Sequence, residues 1–299
     1  MKYKLLVLDV DGTLLNSKQE ISRRTLSTLV KVQQMGLRIV LCSGRPPHGL
    51  TDIVKQLEMP TYGGYVIAYN GSQIIDAASG EVLFERSVNP EIVPYLEKKA
   101  LKNNFPLFTY TENRIVSNVA DNEHILEEAR RNKMELVYEP DFSIVLDFNP
   151  YKFVLVSDDE PALIELTNLW KRRLNGTVEA HRSEDYFLEV LPYGVDKSAA
   201  LSVLLDHLKV DVSEVVAFGD GVRDVGVLQM CGLGIAMGNA RESVRACAEQ
   251  VTVTNDEDGV AQALESLIIA KMQQTAIPLD ELNRQNVSTM MGALGISYT

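Results

Sequence analysis

The chain has 299 residues, 45% of them hydrophobic, and a net charge of -12 with a pI near 4.9. That length supports a large core and exceeds a comfortable single domain, so two domains are expected. The acidic balance excludes a nucleic-acid surface, whose footprint is basic, and any small anion must be drawn in by local positive charge.

Met1-Lys2-Tyr3 lead into the apolar run Leu5-Leu6-Val7-Leu8 without a signal peptide. No apolar run approaches the ~20 residues of a membrane span. Cys42, Cys231 and Cys247 have no metal-ligand spacing and read as reduced thiols. A cytoplasmic protein without a membrane partner is expected. The run Leu5 to Leu8 fits a strand buried on both faces of a parallel sheet. Asp9 and Asp11 follow it directly, at the strand end where such sheets bind ligands. A carboxylate there can shape a turn, bind a metal or attack an electrophile. A calcium loop fits only partly. Glu20 is twelfth from Asp9, but Thr13 stands where a carboxylate or amide is needed, and Leu14 where the sharp turn needs glycine.

Ser22 caps a helical pattern of Leu26, Leu29, Val30 and Val32 that stops at Gly36. The next strand, Arg38 to Cys42, ends in Ser43-Gly44-Arg45-Pro46. A right-handed crossover returns it to the edge that carries Asp9, so Ser43 can share a ligand there. Ser43 either caps a helix or offers its hydroxyl, beside the Gly44 N–H, to a phosphate oxygen. Tyr65 to Tyr69 and Ile74-Ile75 flank Asn70-Gly71, a strong hairpin signal, and Val82-Leu83-Phe84 closes the meander.

From about Arg86 to Tyr186 the texture changes to short strands and charged helices. Ile92 to Lys102 and Glu123 to Asn132 read as amphipathic helices, and Lys152 to Val156 and Phe187 to Val190 as strands. This alternation fits an inserted α+β domain. Arg114, His181, Arg182 and Tyr186 are polar groups there with no pattern that assigns them a role. Asp196 then caps a helix that starts with Lys197, a cation poorly matched to the positive end of the helix dipole unless an anion is present. Glu214 to Phe218 is a strand ending in Gly219-Asp220, the third acidic arm of a magnesium site. Leu233 to Met237 is a further strand. The acidic run at Asp256 to Asp258 reads as a solvated loop, with Asp258 or a neighbour capping a helix from Val260 to about Met272. The tail carries Met290, Met291, Leu294 and Ile296, which could dock on this core or on a neighbouring subunit.

Four strings carry a resemblance: Asp9-Val10-Asp11-Gly12-Thr13, Ser43-Gly44-Arg45-Pro46, Gly194-Val195-Asp196-Lys197 and Gly219-Asp220-Gly221-Val222-Arg223-Asp224. They resemble the motifs of the haloacid dehalogenase (HAD) superfamily, type IIB or Cof-like branch, over Tyr3 to Met272. The resemblance implies an α/β fold, with a Rossmann-like parallel-sheet core at 1–85 and 189–273, an α+β cap at 86–188 and a tail at 274–299. It implies a magnesium-dependent phosphatase acting on small phosphorylated metabolites, such as sugar phosphates, through an aspartyl-phosphate. Asp9 would be the nucleophile and Asp11 the acid and base, which needs a raised Asp11 pKa. Asp9, the Asp11 carbonyl and Asp220 would hold the metal. Lys197, Ser43 and the N–H groups of Val10 and Gly44 would hold phosphate, with Asn70 at the rim. Arg223 stands where the branch has Asn, and could bind phosphate, alter specificity or pair with Asp224. Asp196 and Ser198 also depart from the usual Ser and Gly. Competing readings are a phosphomutase of the same superfamily and a catalytically weak phospholigand-binding protein. A monomer or homodimer is expected.

Overall fold

A computed structural model describes residues 2–141 and 148–275, with side chains through 267. β1 (Leu5–Leu8) is buried at every position. β2 (Arg38–Cys42) and β3 (Tyr65–Ala68) extend the sheet in parallel, and β4 (Gln73–Asp76) and β5 (Val82–Glu85) in antiparallel fashion. The β3–β4 hairpin forms, but Tyr69 and Asn70 both take positive φ, so the strand ends at Ala68 rather than Tyr69.

The chain then builds a second sheet from β6 (Leu107–Tyr110), β7 (Arg114–Ser117), β8 (Glu135–Tyr138), β9 (Phe153–Val156), β10 (Val178–Glu184) and β11 (Phe187–Pro192). Among the described residues its order is β10-β11-β9-β6-β7-β8. Returning, it adds β12 (Val215–Gly219), β13 (Leu233–Ala236) and β14 (Gln250–Val251) to the far side of β1, all parallel.

Successive side chains of a strand point to opposite faces. Leu6, Leu8, Ile39 and Leu41 therefore meet Leu29 and Val32 of the helix Arg23–Gln34 and Val260 and Leu264 of the helix Gly259–Thr275. Leu5, Val7 and Val40 meet Leu201, Leu204 and Leu205 of the helix Lys197–Leu208. Each such Leu stabilises the core by roughly 1.5–3 kcal/mol on burial. The same division occurs in the second sheet. Phe153, Leu155 and Leu188 pack on Trp170 and Leu163 of the helix Glu160–Arg173 and on Leu96 of the helix Val93–Lys102. The opposite face, with Phe108 and Tyr110, is continuous with the core of the first sheet. Tyr69 stacks on Tyr151 at 5.3 Å and meets Tyr110 edge-on at 5.6 Å, joining the two sheets.

Leu8 lies opposite both Leu41 and Phe218. Strands β12, β1 and β2 therefore end level, and Asp220, Asp9 and Ser43 emerge at one edge. The acidic loop is not simply solvated. The Asp258 side chain accepts hydrogen bonds from Ser22 and Thr25, and Asp256 from the Ser17 N–H at 2.8 Å, so both side chains bind the first helix and its approach. The Asp258 carbonyl accepts from the Gln262 N–H at 2.9 Å at the start of the last helix. No helix among the described residues is long and apolar enough to cross a membrane. The expected docking of Met290, Met291, Leu294 and Ile296 falls outside the described residues.

Candidate active site

After β1 the chain turns back on itself, with the Leu14 and Leu15 N–H groups bonding to the Asp9 and Val10 carbonyls at 3.3 and 2.9 Å. Gly12 makes the turn possible. Its φ is +79°, and a Cβ there would lie 2.4 Å from Asp220 Oδ2. Thr13 Oγ1 donates to Asp220 Oδ1 at 2.7 Å, tying the end of β12 to this loop. Asn239 Nδ2 donates to the Gly12 carbonyl and Asn255 Nδ2 to that of Leu15, both at 2.8 Å. The C-terminal segment thus fixes the N-terminal loop.

Asp196 caps the helix Lys197–Leu208 by accepting from the Ala199 N–H, as its sequence suggested. Lys197 Nζ then donates to Asp9 Oδ1 at 2.6 Å and Asp224 Oδ1 at 2.7 Å, so two carboxylates offset the cation's poor place at the helix start. One carboxylate oxygen from each of Asp9, Asp220 and Asp224 lies within 4.8 Å of the others. Three carboxylates around one ammonium leave two negative charges uncompensated. Burial, then the Asp224 charge, pushes the Asp9 carboxyl well above its usual range against the opposing pull of Lys197. Burial also raises Asp220, with Asp224 adding to it. Burial disfavours the charged form of Lys197, but Asp224 and Asp9 outweigh it and hold the ammonium charged. Hard oxygen donors short of two positive charges fit a divalent cation.

Asp11 sits differently from expectation. Burial opposes its ionisation, but Arg45 outweighs that through Nε to Oδ2 at 2.8 Å and Nη2 to Oδ1 at 2.5 Å, holding the carboxyl below its usual range. The raised pKa expected for an acid is therefore absent in this arrangement. The Asp11 carboxylate faces Arg45, and Asp224 joins Asp9 and Asp220 in the acidic cluster. Sequence reasoning passed over Asp224 as a site residue. The available signal was its place four residues after Asp220, where one turn brings Asp224 Oδ2 to the Gly221 N–H at 2.9 Å and the Asp220 N–H at 3.2 Å.

Ser43 is buried, and its Oγ accepts from the Arg45 N–H at 3.1 Å; it does not cap the following helix, Pro47–Gln56, whose N-cap is Pro46. Asn70 does more than turn a hairpin. Its side chain lies against Gly44, and its Nδ2 donates to Glu189 Oε2 at 2.9 Å. A Cβ on Gly71, where φ is +111°, would meet the Asp196 carbonyl at 2.4 Å, so the hairpin tip packs on the start of the Lys197 helix. Lys152 Nζ donates to the Gly44 carbonyl at 3.0 Å and to Glu189 Oε1 at 2.9 Å, and His181 Nε2 pairs with Glu189 Oε2 at 2.8 Å. These second-sheet residues were invisible as a group in the sequence because they come from three strands or their starts. Arg223 does not pair with Asp224; its Nη2 is buried without a hydrogen-bond partner. Arg114 pairs with Glu135, and Tyr186 stacks on His124.

A cavity of about 490 Å³ opens between the two sheets, lined by Asp11, Gly44, Asn70, Asp220 and Arg223 from the first and by Lys152, Arg182 and Glu189, among others, from the second. This is the size of a small-metabolite pocket.

A parallel sheet with acids at its strand ends, under an inserted α+β sheet, is the HAD arrangement. The sequence profile of the haloacid dehalogenase-like hydrolases matches residues 6–264, and the chain belongs to that family. A solved haloacid dehalogenase-like hydrolase from Bacteroides thetaiotaomicron is 42% identical, with a TM-score of 0.84 over 89% of this chain and 99% of that one. A Haemophilus influenzae protein is 32% identical over 89% of this chain and 98% of its own length. The 5-amino-6-(5-phospho-D-ribitylamino)uracil phosphatase YcsE of Bacillus subtilis is 28% identical over 89% and 96%. A solved sugar phosphatase described as HAD subclass IIB shares the fold, at 24% identity and a TM-score of 0.75 over 89% of this chain and 99% of that one. The family match and these relatives make the chain a phosphoric monoester hydrolase.

Proposed function

We propose that the chain hydrolyses small phosphorylated metabolites, with magnesium and an aspartyl-phosphate intermediate. The observation that carries this reading is Asp9 and Asp220 after level strand ends, with buried Asp224 and Lys197 against them, beneath a metabolite-sized cavity. An Asp9 carboxylate oxygen bonds to phosphorus as the ester P–O bond breaks, and the leaving alkoxide takes a proton from Asp11. Water then attacks phosphorus, gives a proton back to Asp11 and releases inorganic phosphate. Magnesium, held by Asp9, Asp220 and the Asp11 carbonyl with Asp224 beside them, would offset the repulsion between carboxylate and phosphate. Lys197, Ser43 and the N–H groups of Val10 and Gly44 bind the phosphoryl oxygens. Arg45 favours the ionised Asp11 that accepts a proton in the second step, so Arg45 must leave the carboxyl before the first.

The second sheet acts as a cap, closing over the site and excluding water. We take its end at about residue 192 rather than 188, because β11 (Phe187–Pro192) pairs with β10 and β9. Phosphorylated substrates named for relatives, such as that of YcsE, support a small phosphometabolite. Free thiols at Cys42, Cys231 and Cys247 fit a reducing compartment such as the cytoplasm. The test is a phosphometabolite panel with magnesium, run on the protein and on Asp9→Asn. Continuous release of inorganic phosphate that vanishes in the variant supports hydrolysis. Interconversion of phosphate isomers without release identifies a mutase, and no turnover of any member supports a binding protein.

A further inference from the structure

Arg223 and Arg182 both line the catalytic cavity and a second one of about 460 Å³ beside it. Six buried side-chain polar atoms among the described residues lack a hydrogen-bond partner, and three of them belong to residues lining the second cavity: His181 Nδ1, Arg182 Nε and Arg223 Nη2. Arg182 Nη2 is engaged by Glu160 at 2.9 Å and by Asp185, and His181 Nε2 by Glu189 at 2.8 Å, so each side chain is anchored through a single nitrogen. Arg223 has Glu179 and Asp224 as its nearby charges but no ion pair with either. His181 Nδ1 can be an acceptor, since Nε2 faces a carboxylate, but the two guanidinium nitrogens can only donate. Buried donors left without acceptors are rare in folded proteins, and this pair points to an absent acceptor.

No carboxylate around the catalytic cavity bonds to Arg223 Nη2 or Arg182 Nε, and three of them are committed elsewhere. Glu128 is held by Tyr110 and Asn132, Glu189 by Lys152, Asn70 and His181, and Asp11 by Arg45. We propose that Arg223, with Arg182, forms a second anion subsite, and that the substrates are phosphomonoesters whose alcohol carries a further anionic group, a carboxylate or a second phosphate. This rests on the phosphatase reading for its first subsite. The guanidinium fork presents paired donors to either anion. A subsite built to hydrogen-bond an anion rejects the analogue that lacks it, because its donors then stay unpaired.

Two matched pairs of probes test the subsite: 3-phosphoglycerate against glycerol 3-phosphate for a carboxylate, and fructose 1,6-bisphosphate against fructose 6-phosphate for a phosphate. With magnesium, the wild-type protein is expected to favour the doubly anionic member of at least one pair by tenfold or more in kcat/KM. The pair that responds identifies the anion. That ratio should fall at least fivefold in Arg223→Gln and in Arg182→Gln, and Arg223→Lys should keep part of it. Ratios within twofold for both pairs, or ratios unchanged in both Gln variants, overturn the proposal. Calorimetric binding of the same probes to Asp9→Asn separates the two readings. A tenfold binding preference without turnover in the wild type keeps the subsite and removes the phosphatase reading, whereas turnover without preference does the reverse.

Discussion

Asp9 and Lys197 sit 188 residues apart in sequence and 2.6 Å apart in space, buried together. As the proposed nucleophile, Asp9 should not tolerate Asn: phosphate release from any accepted substrate is expected to fall at least about a thousandfold, by steady-state assay. Lys197→Met removes the one ammonium from among three carboxylates. Because an unpaired buried charge is costly, unfolding free energy in urea should drop by roughly 3–5 kcal/mol without metal, and magnesium should recover part of it. For Asp11 the folded pKa lies below the unfolded value of ~3.9, so the Arg45 pair stabilises the fold above that pH and the benefit is lost as pH falls through the folded pKa. Stability measured between about pH 5 and 2 should therefore decline less steeply in Arg45→Met, and an unchanged slope would remove Arg45 as the cause. Asp11 and its spacing from Asp9 were legible in the sequence. Its Arg45 partner was not, because nothing in a residue string says which way a carboxylate turns.

Between elements, the decisive contact is the polar bridge from the second sheet to the loop after β2. Lys152 and Glu189 are both buried, and together they bind the Gly44 carbonyl and Asn70. Lys152→Met leaves Glu189 buried against only His181 and Asn70. A loss of roughly 3 kcal/mol is expected in denaturant titration, with Glu189→Leu added to it restoring part. Gly12 is the tightest joint within the first sheet. Gly12→Ala forces a non-glycine residue to positive φ and drives a methyl into Asp220, so a loss of about 1–3 kcal/mol and weaker magnesium binding are expected together, by melting with and without the ion. Periodicity located β1 to β5, β12 and β13 of the first sheet, but only β9 and β11 of the second, whose other strands are short and lie among charged residues. It could not reveal the bridge, whose members stand singly among apolar neighbours and make sense only once β9, β10 and β11 are paired.

Across the whole molecule, two sheets share one continuous apolar core on the sides that face each other, and the cavity lies where that core gives way to charge. Cys42 and Cys231 are buried in the first sheet's own core, and burial pushes their thiols up, Cys231 to about 12. Labelling with iodoacetamide at neutral pH should therefore modify the partly exposed Cys247 alone until the protein unfolds. Sequence alone determined the buried strands, the level acids after them and the inserted α+β segment, because periodicity and strand-end carboxylates are local properties of a chain. Tertiary structure decided that Asp224 joins the acids while Asp11 turns to Arg45, and that Arg223 stays unpaired while lining two cavities. Those outcomes depend on distances between groups far apart in sequence, and on how burial strengthens each charge that the fold brings near another.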